Sequence, residues 1–129
     1  MATQVERLAQ GLMFPEGPTI GPDGALYVTE IAGQRISKIN EDGTVSTFAD
    51  TGGGPNGAAF NPQGELVIAN NGGRWPTDVP STSQAPEPEF AQGRMQTISS
   101  EGVVVSELLE IDGVPLNSCL LYTSPSPRD

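Results

Sequence analysis

The chain contains no histidine and a single cysteine, Cys119. Those two counts exclude Ser-His-Asp and Cys-His nucleophilic chemistry and histidine-ligated zinc. They also exclude an internal disulfide and any cysteine metal-site spacing. Chemistry in this chain must therefore run on carboxylates, amides, hydroxyls and a metal. Carboxylates are plentiful: 16 Asp and Glu face 6 Lys and Arg, a formal net charge of -10. Phosphate recognition needs a basic stripe, so a nucleic-acid partner is not expected. The acidic surplus suits solubility and is compatible with a cationic ligand such as a hard metal, although a solvated acidic surface accounts for most of these side chains. Two residues stand out by their surroundings, Glu16 in "FPEGP" and Asn56 in "GGPNG". On local grounds alone Glu16 is an exposed acid beside a turn. Asn56 has two uses open to it: contacting a metal, water or substrate, or tying down its own Pro-Asn-Gly turn. Asp23, Asp42 and Glu101 fall in hairpin turns and read as structural.

The elements that must position these residues are legible as a repeat. "PEGPTIGPDGALYVTE" (15–30) aligns without gaps to "PNGAAFNPQGELVIAN" (55–70) at an offset of 40, which places Glu16 on Asn56. Each copy reads as a short strand, a tight turn at Asp23-Gly24 or Gln63-Gly64, and a second, alternating strand. "RISKINEDGTVSTF" (35–48) parallels "RMQTISSEGVVVSEL" (94–108) at an offset of 59, aligning Arg35 with Arg94, Ile39 with Ile98 and Gly43 with Gly102. The difference is an insertion at about 72–92, rich in Pro, Ser and Thr, which reads as a loop. Sixteen Gly and 12 Pro fit many turns rather than long helices. Four short strands repeating at roughly 40–45 residues are the signature of a propeller blade. A strand-rich sandwich is the alternative, against which the gapless register argues. The expected fold is all-β, a β-propeller fragment of about two four-stranded blades. Residues 1–11 form a lead-in, 12–50 the first blade, 51–111 the second, and 112–118 the approach to a third.

With these motifs in place, the chain resembles the SMP-30/gluconolactonase/LRE-like family. The first blade carries the likeness in "FPEGPTIGPDGALYVTEIAGQRISKINEDGTVSTF", the second in "GGPNGAAFNPQGELVIANNGG", and "IDGVPLNS" resembles the lead into the third. The resemblance implies a six-bladed propeller with a divalent ion, usually calcium, at one mouth of its central channel. It implies hydrolysis of sugar-acid lactones or related cyclic esters. The glutamate of the family's E-G-P motif is a metal ligand and falls on Glu16. Asn56, at the equivalent point of the second blade, is a candidate substrate contact. Asn117 matches no ligand position, and the remaining ligands and the catalytic base belong to later blades. A non-catalytic NHL-like binding platform, or a strictosidine-synthase-like or streptogramin-lyase-like enzyme, is the alternative on the same scaffold. Trp75, in the insertion, is placed to cover a channel mouth or to pin its own loop. The run Asn70-Asn71-Gly72-Gly73 reads as a strand-ending turn.

Residues 119–129, "CLLYTSPSPRD", correspond in order to the in-frame translation of a common transposase sequencing adapter. On that reading the tail is non-native, Cys119 carries no biological information, and the chain is an N-terminal fragment, inactive and unable to fold cooperatively alone. The opening "MATQVERLAQGLMF" has acids early and no apolar core, and no segment reaches membrane-span length. A cytoplasmic protein with a small-molecule partner, and with neither nucleic acid nor membrane as partner, is expected.

Overall fold

The computed structural model describes residues 3–73 and 92–116. Two antiparallel four-stranded sheets account for most of them. The first runs β1 (Pro15–Ile20), β2 (Leu26–Glu30), β3 (Arg35–Ile39) and β4 (Val45–Asp50), each strand paired with its sequence neighbour. The second repeats that order with β5 (Pro55–Phe60), β6 (Leu66–Asn70), β7 (Arg94–Ile98) and β8 (Val104–Leu108). A two-residue hairpin, β9 (Glu110–Ile111) with β10 (Val114–Pro115), follows. No helix occurs among the described residues. The insertion from residue 74 to 91, with Trp75, and residues 117–129, with Asn117 and Cys119, lie outside the described residues.

The meander follows from local chemistry. Each tight turn is closed by a short polar side chain accepting backbone N–H groups, the role Asp, Asn and Ser favour in turns. Asp23 Oδ1 accepts from the Ala25 amide at 3.0 Å and Asp42 Oδ1 from the Thr44 amide at 2.9 Å. Asn61 Oδ1 accepts from Glu65 at 2.8 Å, and Ser99 Oγ from Val103 at 3.3 Å. The turn acids Asp23 and Asp42 are therefore structural, as their place in the hairpins implies.

The core lies between the two sheets. Tyr27, Ile36 and Ala49 from the first face Leu66, Ile68 and Ile98 from the second, with Phe48, Ala58, Phe60 and Val104 packed around them. Fully burying each Leu or Ile contributes about 1.5–3 kcal/mol. The Tyr27 ring meets Phe48 of its own sheet at 5.0 Å and Phe60 of the other at 5.2 Å, both edge-to-face, an arrangement the ring quadrupoles favour. The blades are joined at one end of β1 and β5, described below, and the β7–β8 turn abuts the Phe48 carbonyl through Gly102. A smaller cluster of Ile31 and Ala32 packs on Met13 and Phe14, seating the lead-in against the β2–β3 connection.

Candidate functional site

Glu16 and Asn56, paired by the repeat, occupy the second position of β1 and of β5. Both strands are irregular there. In β1 the register slips between Glu16 and Thr19, and in β5 between Pro55 and Gly57, so that Asn56 is the extra residue. Bulges of this kind interrupt the ladder and re-aim side chains, and they recur beside functional sites. Glu16 is exposed, and among the described residues no hydrogen bond or ion pair engages its carboxylate. Asn56 is half-buried.

The structure brings these two residues to one place. Glu16 lies opposite Thr29 in the β1–β2 ladder. Thr29, fully buried, donates its hydroxyl across the blade boundary to the Asn56 backbone carbonyl at 2.6 Å. Gly17, next to Glu16, has φ +49°, and a Cβ there would stand 2.4 Å from the same carbonyl oxygen. Only glycine permits that approach, and it adopts the left-handed backbone without the strain of a side chain.

The same end of each blade holds a buried polar knot. In the first blade Glu30, 0% exposed, takes a two-point ion pair from Arg35: Nε to Oε2 at 2.7 Å and Nη2 to Oε1 at 3.1 Å. It also accepts the Met13 amide at 2.7 Å and a bond from the Ser37 hydroxyl. Burial alone raises a carboxyl's pKa, but the bonds from Arg35, Ser37 and the Met13 amide outweigh it, and Glu30 titrates below the ordinary range. In the second blade Asn70 stands at the equivalent position. Its Oδ1 accepts from the Gly54 and Gly72 amides at 2.9 Å, and its Nδ2 donates to Gly52 O and Gln96 Oε1, also at 2.9 Å. Asn71 Oδ1 accepts the Gly73 amide at 2.9 Å. The Asn70–Gly73 run ends a strand as its sequence implies, and it is also the buried hub of that end. Sequence reasoning missed Glu30. Its signal was its alignment with Asn70 at the last position of the second strand of each repeat.

Among the described residues no three acidic or cysteine side chains converge as a metal group. A hard cation such as calcium takes about six to eight oxygens. Glu16 and Asn56 fit one side of such a shell and do not complete it.

Two four-stranded antiparallel meanders of the same strand order, packed on one core with β1 beside β5, are blades of a β-propeller. Among solved structures, the chain is similar to a gluconolactonase from Xanthomonas campestris described as important in glucose secondary metabolic pathways. The TM-score is 0.66 at 23% identity, over 88% of this chain and 32% of that one. At that identity the likeness carries the fold, of which this chain spans about a third. The profile of the SMP-30/Gluconolactonase/LRE-like region matches residues 14–107, and the chain belongs to that family. No curated protein matches it.

Proposed function

We propose that these two blades are part of a divalent-metal-dependent lactonase, with calcium the first candidate, that opens sugar-acid lactones or related cyclic esters. The observation that carries the reading is the pairing of Glu16 and Asn56. Two polar residues occupy the same position of β1 and β5, Glu16 just before a register slip and Asn56 as the extra residue of one, and the acid is exposed with no partner of its own among the described residues. Family membership and the likeness to a gluconolactonase support it.

In this reading Glu16 supplies one carboxylate ligand to the cation. Asn56 offers its amide to a ring or hydroxyl oxygen of the substrate and orients it against the metal side of the site. The cation, when bound, supplies Lewis-acid polarisation of the lactone carbonyl. The general base belongs to blades beyond these two. The remaining metal ligands belong there as well.

The test is hydrolysis of a six-membered aldonolactone by the protein at full propeller length. EGTA should abolish turnover and added calcium should restore it. Glu16→Gln should lower kcat/KM by at least about a hundredfold, the equivalent of about 2.7 kcal/mol of transition-state stabilisation. Turnover indifferent both to chelation and to Glu16→Gln would overturn the metal mechanism and favour a binding platform.

A further inference from the structure

We propose that Thr29 is a positioning residue for the site: its hydroxyl locks the Asn56 backbone of the second blade to β2, the strand paired with the one that carries Glu16 in the first. The proposal rests on the functional reading above. A site shared between two blades needs a fixed relation between them, and here that relation is narrow. Glu16 is held by its register opposite Thr29, and Asn56 is held by the Thr29 hydroxyl at 2.6 Å. One residue thus touches both candidate residues through their backbones, without contacting a ligand itself.

Three observations set this bond apart from ordinary core polarity. First, Thr29 is 0% exposed, so its hydroxyl has no water to fall back on and the bond is obligatory rather than optional. Second, its acceptor is the carbonyl of the bulged residue, which the β5–β6 ladder leaves unpaired in register. Third, Gly17 makes room for that carbonyl, with Thr29 Oγ1 itself only 3.2 Å from where a Cβ would stand. The corresponding place in the second blade is Ala69, which has no hydroxyl to offer, so the clasp belongs to this blade boundary and is not a general feature of the repeat.

The experiment compares Thr29→Val, which keeps the shape and removes the donor, with Thr29→Ser, which keeps the donor. Two readouts are taken. The first, on the full-length protein, is the Gly57 amide nitrogen shift, which reports hydrogen bonding to the preceding Asn56 carbonyl. It should move upfield in Thr29→Val and return in Thr29→Ser. The second is steady-state lactone hydrolysis by the full-length protein, where Thr29→Val should raise KM by about tenfold with a smaller change in kcat, and Thr29→Ser should stay within about twofold of the parent. An unmoved Gly57 shift, an unchanged KM in a folded Thr29→Val protein, or failure of Ser to rescue would each overturn the proposal. If Thr29→Val does not fold, Thr29→Ser still decides, because loss of KM control despite a retained donor contradicts it. Failure of the functional reading looks different: Glu16→Gln and EGTA would then leave hydrolysis unchanged while the Gly57 shift still responded to Thr29.

Discussion

At the scale of single residues, two carboxylates have opposite fates for physical reasons. Glu16 lies exposed to solvent, while Glu30 keeps its charge in the interior, because Arg35, Ser37 and the Met13 amide replace the water it has lost. A buried pair of this kind adds little net stability, but removing one partner strands the other. Glu30→Ala should therefore cost at least about 1–3 kcal/mol in a urea titration, since the buried Ser37 hydroxyl and the Met13 amide lose their acceptor. The pH dependence has a definite sign. Glu30 titrates below its unfolded value, so its contribution is present above about pH 4.5 and is lost as pH falls through the folded pKa. Asp23 behaves alike. Its bond from Lys38, then the Ala25 amide and the Tyr27 hydroxyl, lowers its pKa to about 2, so what it contributes above its unfolded value of 3.8 fades as pH drops toward about 2. Thermal melts across pH 2–5 should show the midpoint falling with acid, with the drop reduced in Glu30→Gln. Glu16 and Asn56 were legible in the sequence because their neighbours Pro and Gly form a motif. Glu30 was not, because its burial depends on a long-range amide from the lead-in and an arginine folding back, and no local pattern encodes either.

At the scale of elements, the repeat told most of the story. The offset of 40 carries β1 and β2 onto β5 and β6, and the offset of 59 carries β3 onto β7, because alternation and turn chemistry are local. The register slip after Glu16 and the bulge at Asn56 were not legible. They arise from one strand meeting another, as does the glycine requirement at the blade boundary. Gly24 and Gly102 make that last point testable. Both have φ +80°, yet a Cβ on Gly24 meets nothing within 4 Å, whereas on Gly102 it would stand 2.0 Å from the Phe48 carbonyl oxygen. Gly24→Ala should cost about 1 kcal/mol for the left-handed backbone alone, and Gly102→Ala at least about 1–3 kcal/mol more, since β8 must shift away from the first blade. In the core between the sheets, Leu66→Ala should cost about 2–5 kcal/mol, as expected for a fully buried leucine. Denaturation midpoints of the three variants, at unchanged slope, give the comparison directly.

At the scale of the whole molecule, two sheets bury one interface and leave others open. Val105, Leu108, Ile111 and Val114 are 54%, 47%, 55% and 68% exposed along the last strands. In a propeller such a surface packs on a neighbouring blade. The 129-residue chain by itself should accordingly unfold with a shallow denaturant slope and associate as its concentration rises; a steep, concentration-independent transition by circular dichroism would contradict this. The central claim, that Glu16 is a metal ligand at the mouth of a lactonase propeller, is tested most directly by calorimetric titration of calcium into the full-length protein and its Glu16→Gln variant, at matched thermal stability. The account predicts one site whose affinity falls by at least about tenfold, or about 1.4 kcal/mol, in the variant. Equal calcium affinity in the two proteins, or no binding in either, would contradict it.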